Sequence, residues 1–253
     1  MSNKKLGIIQ TRGLGDIIIA LPIAHFYHKE GWHIHWPICE QWVEQMEHHA
    51  PWVKWIPITP DSGGFFYNTP LERLNNFKCS EIICLYQSLT GHPEFTKEPW
   101  FQHTGFDQYK YIKAGVPFLN KWKLNECLTR DADRERKMFD QIIGTDETPY
   151  VVTHLTASQF TADFDKSIIP EDWRIVPIGF EGYIFDWLTI IERAECIIMT
   201  DSVMSNLVDQ LGIGEDRYYL PGNHIQLTPT FGHHWTWIEN TKIDPRVAIF
   251  KSS

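Results

Sequence analysis

The feature that most constrains this chain is a glycine-punctuated turn, Arg12-Gly13-Leu14-Gly15-Asp16, set between a β-rich run and an apolar helix. Residues 6–10, Leu-Gly-Ile-Ile-Gln, read as a short strand. Residues 17–29 read as a helix with Pro22 near its first turns, and Gly31 ends it. His33-Ile34-His35-Trp36 then reads as a second strand, residues 40–49 as a second helix, and residues 53–56 as a third strand closed by Pro57. A β-α-β-α-β order specifies a parallel, doubly wound sheet.

The alternation returns in the second half. After a loop at residues 61–64, a strand at 81–86, a Pro- and aromatic-containing loop at 90–102, a helix at 106–114 and an amphipathic helix at 131–143, the polar stretch Gly144-Thr145-Asp146-Glu147-Thr148-Pro149 reads as a linker. Strands at 150–155, 174–178, 196–200 and 217–220 follow, with helices at 184–194 and 202–211 between them. The expected fold class is α/β, two Rossmann-like lobes with a cleft between them, divided as 1–146 and 147–253. The last thirty residues, rich in His, Trp and Pro, carry no pattern of their own.

Charge and composition narrow the function classes. The 253 residues carry a formal net charge of -9, which disfavours a DNA acceptor or broad phosphate-backbone binding. The Lys/Arg residues between Lys110 and Lys137 alternate with acids and read as a solvated helix face. Eleven Trp, 15 Phe and 9 Tyr suit a core built on large rings, or rings lining a cleft. Five cysteines without close pairs argue against a disulfide framework or zinc cluster, and Cys84 and Cys196 read as buried small hydrophobes. With no apolar run of membrane-spanning length and no leader before the first strand, a cytoplasmic location is expected.

Two turns carry chemistry. In the first, Gly13 and Gly15 permit close backbone approach and the helix N-terminus offers N–H groups to an anion. A dinucleotide fingerprint is not met, because Ile18 stands at the third glycine position. Asp16 either complements the helix dipole and caps the helix, or faces the cleft as a general base that deprotonates an acceptor hydroxyl. In the second, Thr200-Asp201-Ser202-Val203-Met204-Ser205-Asn206, Asp201 or Ser202 can cap the helix. The same groups can hold a donor diphosphate at the helix N-terminus, with Asp201 on sugar hydroxyls.

Arg12-Gly13-Leu14-Gly15-Asp16, followed by Ile17-Ile18-Ile19-Ala20-Leu21-Pro22, resembles the opening of the ADP-heptose:lipopolysaccharide heptosyltransferases, glycosyltransferase family 9 of the GT-B type. The stretch 201–206, with its helix ending at Leu211-Gly212, is similar to that family's Asp-Ser/Thr-Gly-x-x-His turn, and the upstream helix at 187–194 is similar too. Val203 stands where the family has Gly, and Asn206 where it has a phosphate-contacting His. The resemblance implies Asp16 as base; Arg12, Gly13, Gly15, Asp201, Ser202, Val203, Met204, Ser205 and Asn206 at the donor; and a nucleotide-diphosphate sugar as donor substrate, with no further cofactor. Lys166 corresponds to a family lysine that neutralises phosphate, or is an ordinary surface lysine. The partner implied is a glycan or other hydroxyl acceptor. The histidine pairs 33/35, 48/49 and 233/234 lack metal-ligand spacing, and no metal is expected. The tail Gly232-His233-His234-Trp235 could touch donor or acceptor. A transferase acting on a modified DNA base, and a non-catalytic nucleotide-sugar or carbohydrate-binding protein of the same fold, are the alternatives.

Overall fold

The structure is a computed structural model that describes residues 4–60, 64–87, 104–157, 160–179, 181–222 and 229–242. The loop expected at 90–102 and most of that at 61–64 lie outside the described residues. The chain separates into two compact units, Met1–Thr129 and Arg130–Ser253.

The first unit is a parallel sheet of four strands, β1 (Lys5–Ile9), β2 (His33–Cys39), β3 (Lys54–Ile58) and β4 (Glu81–Cys84), in the order β3-β2-β1-β4. Helix α1 (Leu14–Lys29) follows β1 directly and starts three residues before the expected position. Its first half, Leu14 and Ile17 to Ala24, is buried on every side, which accounts for the unbroken apolar run there. Helix α2 (Val43–His49) links β2 to β3. Helix α3 (Asn68–Asn76), which the sequence pattern does not announce, supplies the crossover to β4 that a parallel pair requires. Helix α4 (Phe106–Ala114) and a 3-10 segment, Phe118–Glu126, pack on α1.

Neither Pro37 nor Pro57 ends its strand. Pro57 lies in β3, the sheet edge, where a missing N–H is tolerated. Pro37 lies in β2 beyond the residues that pair with β1. The stacked, fully buried rings of Trp36 and Trp55 fill this end of the core.

The second unit opens on helix α5 (Ala132–Ile142), capped by Asp131, whose carboxylate accepts from the Asp133 and Arg134 N–H groups. Its sheet holds β5 (Tyr150–His154), β6 (Arg174–Pro177), β7 (Cys196–Thr200), β8 (Asp216–Leu220) and a short β9 (Thr236–Trp237), all parallel, in the order β6-β5-β7-β8-β9. A 3-10 turn runs into helix α6 (Leu188–Glu192), and α7 (Val203–Leu211) follows β7. The division falls before α5 and not at the expected 146/147 linker, because α5 is bound to this unit. Arg134 holds Asp186 through two bonds of 2.9 and 2.7 Å, and Thr189 donates to Glu135 at 2.6 Å.

In the basic stretch 110–137, Lys123, Arg130, Arg136 and Lys137 are exposed as expected, and two lysines depart from the solvated face. Lys110 and Lys121 are buried, each against a carboxylate, with Lys121 Nζ 2.7 Å from Asp107. All five cysteines are free; Cys84 and Cys196 are buried as expected, and burial pushes both thiols up, Cys196 to about 11. Among the described residues no helix is long and apolar enough to cross a membrane.

Candidate functional site

In a doubly wound sheet the loops leaving two neighbouring strands diverge where the strand order reverses, opening a crevice at their carboxyl ends. In the first unit that point lies between β1 and β4. The loop after β1 contains Thr11 to Gly13, and Tyr86 follows β4. The Tyr86 hydroxyl accepts from the Thr11 N–H at 2.9 Å and the Arg12 N–H at 3.2 Å, and lies 2.9 Å from Thr11 Oγ1, pinning the turn. Burial is the chief cause of its raised pKa.

Gly13 precedes α1 with φ of 83°, in the left-handed region that favours glycine. A Cβ there would stand 2.7 Å from Asp16 Oδ2, so this position admits no side chain while Asp16 keeps its place. No side chain caps α1. Asp16 therefore complements the helix dipole without capping. Its Oδ1 pairs at 3.0 Å with Lys110 Nζ, while its side chain keeps 34% of its surface exposed. Lys110 also donates to Gln10 Oε1 at 2.8 Å, and Gln10 Nε2 donates to the Arg12 carbonyl at 3.1 Å. Arg12 is exposed and Gly13, Gly15 and Asp16 are half-buried, so the four expected residues do share one turn.

The corresponding point in the second unit lies between β5 and β7. Ser202 is the cap of α7: its Oγ accepts from the Ser205 N–H, and Ser205 Oγ receives the Ser202 N–H at 3.1 Å. Asp201 precedes the cap and is half-buried. The N–H groups of Val203 and Met204, first in the helix, have no intrahelical carbonyl to reach. Met204, Ser205 and Asn206 are buried. Asn206 Nδ2 donates to the Ser202 carbonyl at 2.9 Å, and its Oδ1 is buried without a partner.

His154, at the end of β5, joins this turn although no motif in the sequence marks it. Its Nδ1 lies 2.9 Å from Ser202 Oγ, and burial pulls its pKa down to about 4. The ring is thus neutral at pH 7, and the positive pole of this turn is the helix N-terminus. Lys166 is exposed in a single 3-10 turn, Lys166–Ile168, on the connection from β5 to β6. It borders a groove with Pro170, Trp173 and Ile175 whose lining does not include the 201–206 residues.

The tail proves to be an anchor on α7. The fully buried Asp209 carboxylate accepts from the Gly232 N–H at 3.0 Å, the His233 N–H at 3.1 Å and Trp235 Nε1 at 3.1 Å. Trp235 packs with Phe231 and Tyr219. Among the described residues no group of three His, Cys, Asp or Glu side chains is placed to hold a metal ion.

Chemically, the first turn offers a partly exposed carboxylate fixed by a buried ammonium. The second offers backbone N–H groups suited to an anion and a buried acceptor suited to a hydroxyl or N–H. No family model and no curated protein matches the chain. Solved structures do. A glycosyl transferase family 9 protein from Veillonella parvula superposes with a TM-score of 0.64 at 13% identity, covering 100% of this chain and 92% of that one. The ADP-heptose lipopolysaccharide heptosyltransferase II of E. coli gives 0.57 at 12% identity over 98% of this chain and 96% of its own. The iron-containing dodecameric glycosyltransferase TibC of enterotoxigenic E. coli gives 0.56 at 11% identity, with 96% of this chain covering 63% of it. At such identities the likeness is one of fold: the chain has the α/β fold of the family 9 glycosyltransferases that its two turns resemble in sequence.

Proposed function

We propose that the protein is a glycosyltransferase that moves a sugar from a nucleotide-diphosphate donor to a hydroxyl acceptor. The observation that carries the reading is Asp16, a partly exposed carboxylate at a switch point that leaves its helix uncapped and is held by a buried lysine. In this reading the units divide the work in the GT-B manner, the first serving the acceptor and the second the donor. Asp16 takes the proton of the acceptor hydroxyl as its oxygen attacks the anomeric carbon. The bond from that carbon to the diphosphate breaks, and the nucleoside diphosphate leaves with the electron pair. The N-terminus of α7, through the Val203 and Met204 N–H groups and Ser202, takes up the charge of the leaving group. Asp201 addresses sugar hydroxyls, and Lys166 is the cation that the family resemblance offers for the diphosphate.

Solved structures of similar fold support the reading: one is an ADP-heptose lipopolysaccharide heptosyltransferase, and another is the heptosyltransferase TibC in complex with ADP-heptose. Transfer without a divalent metal and a cytoplasmic setting, consistent with five free thiols, complete the proposal. The test is a thermal-shift panel of nucleotide-diphosphate sugars, each with and without EDTA, on wild type and Ser202→Ala. A ligand at 100 times its Kd stabilises the native state by about 2.7 kcal/mol. The expected result is that one donor raises the wild-type Tm, undiminished by EDTA, and raises that of Ser202→Ala less. No shift with any donor at millimolar concentration would refute it.

A further inference from the structure

Neither the sequence pattern nor the family resemblance singles out Lys110. It comes from α4, 100 positions from Gln10, yet its ammonium is buried and meets the turn after β1. A buried ammonium is tolerated only when paired and hydrogen-bonded. Here it has a charged partner in front, Asp16 Oδ1 at 3.0 Å, and a neutral one behind, Gln10 Oε1 at 2.8 Å. Gln10 is 1% exposed and fixed in turn by its bond to the Arg12 carbonyl. The amide orientation follows from this, since its oxygen must face the ammonium and its nitrogen the carbonyl. The chain Arg12 carbonyl, Gln10 amide, Lys110 ammonium, Asp16 carboxylate therefore has one consistent set of donors and acceptors. One carboxylate oxygen is occupied by Lys110. The other lies over Gly13, where any Cβ would collide with it at 2.7 Å.

We propose that Lys110 is a positioning residue for Asp16: with Gln10 behind it, it holds one carboxylate oxygen so that the other is presented to the acceptor hydroxyl. The proposal rests on the reading of Asp16 as general base. A residue that acts only through Asp16 has a signature that a scaffold residue lacks: its removal costs nothing once Asp16 has lost its function.

The experiment is a double-mutant cycle on nucleoside diphosphate release from the donor found in the panel, using the full chain as wild type, Lys110→Met, Asp16→Asn and the double variant. Lys110→Met is expected to keep the far-UV spectrum and the donor-induced thermal shift, to leave donor KM within a few-fold, and to lower kcat by roughly 10–100-fold, the scale of a small misplacement of a reacting group. In the Asp16→Asn background the same change is expected to slow release no further. A wild-type kcat for Lys110→Met, or losses that multiply in the double variant, would overturn the proposal. Should Lys110→Met fail to fold, Gln10→Met carries the cycle, since it frees the ammonium from behind while leaving both charges; a several-fold loss of kcat that vanishes with Asp16→Asn supports the proposal, and no loss overturns it. An Asp16→Asn variant that turns over like wild type, or a wild type with no turnover, would instead remove the base reading on which this one stands.

Discussion

Acidification should weaken the second unit through His154, and the size of the effect follows from its surroundings. The ring sits at the end of β5 with Nδ1 on Ser202 Oγ, and burial lowers its pKa from 6.5 to about 4. In the unfolded chain the ring regains the ordinary value, so between those two values the unfolded state binds more protons. Stability is therefore fully present above pH 6.5 and is lost as pH falls towards 4. A tenfold difference in proton affinity between the two states is worth about 1.4 kcal/mol. Integrated from pH 7 to pH 5, the loss comes to roughly 1–2 kcal/mol. The assay is urea unfolding at pH 7 and pH 5 for wild type and His154→Gln, which retains polarity but does not titrate. Wild type should lose that much more than the variant over the interval. Equal losses within about 0.5 kcal/mol, a difference too small for so depressed a histidine, would refute the view that His154 is held neutral, half-buried against the cap of α7.

Two further outcomes follow from buried groups. Asp209→Ala removes the acceptor of three N–H donors from Gly232, His233 and Trp235; unpaired buried donors cost about 1–3 kcal/mol each, less where water enters, so urea unfolding should show a loss of about 3–5 kcal/mol together with faster proteolysis within the tail, and a loss below about 1 kcal/mol would contradict the anchor. Four of the five cysteines are buried and Cys79 is half-buried. A thiol reagent should therefore label Cys79 first and slowly, because burial raises its pKa too, and reach all five only in denaturant; rapid labelling of several thiols in the native protein would contradict the packing.

The alternation of strand and helix, and both glycine- or serine-marked turns, are legible in the sequence because each is a local signal: β-branched runs, a positive-φ glycine, a capping serine. Features that depend on partners remote in sequence are not. Pro57 reads as closing its strand and the second strand reads as 33–36, yet both strands run on through a proline, Pro37 past the last pairing with β1 and Pro57 at an edge. Helix α3 is hidden by Pro70 and its asparagines, although proline in a first helical turn forfeits no hydrogen bond. Lys110 looks solvated because nothing near it in sequence reveals Asp16 and Gln10 beside it. For His154 a signal does exist: it ends the strand that, in a doubly wound order, adjoins the strand leading to Asp201. Of the candidate residues, the Arg12 to Asp16 and Asp201 to Asn206 groups each assemble at one turn, and Lys166 lies on the exposed connection from β5 to β6.

The most direct measurement is single-turnover release of nucleoside diphosphate from a bound nucleotide-diphosphate sugar, in wild type and Asp16→Asn, with water or a hydroxyl acceptor. The variant leaves the buried Lys110 ammonium without the partly exposed charge that faces it, which should cost about 1–3 kcal/mol of stability, between the values for exposed and buried pairs, and it should still bind donor. Its rate should fall roughly 10²–10⁴-fold, the contribution of a general base. A folded, donor-binding Asp16→Asn protein that releases nucleoside diphosphate at the wild-type rate would contradict the assignment of Asp16 as the base.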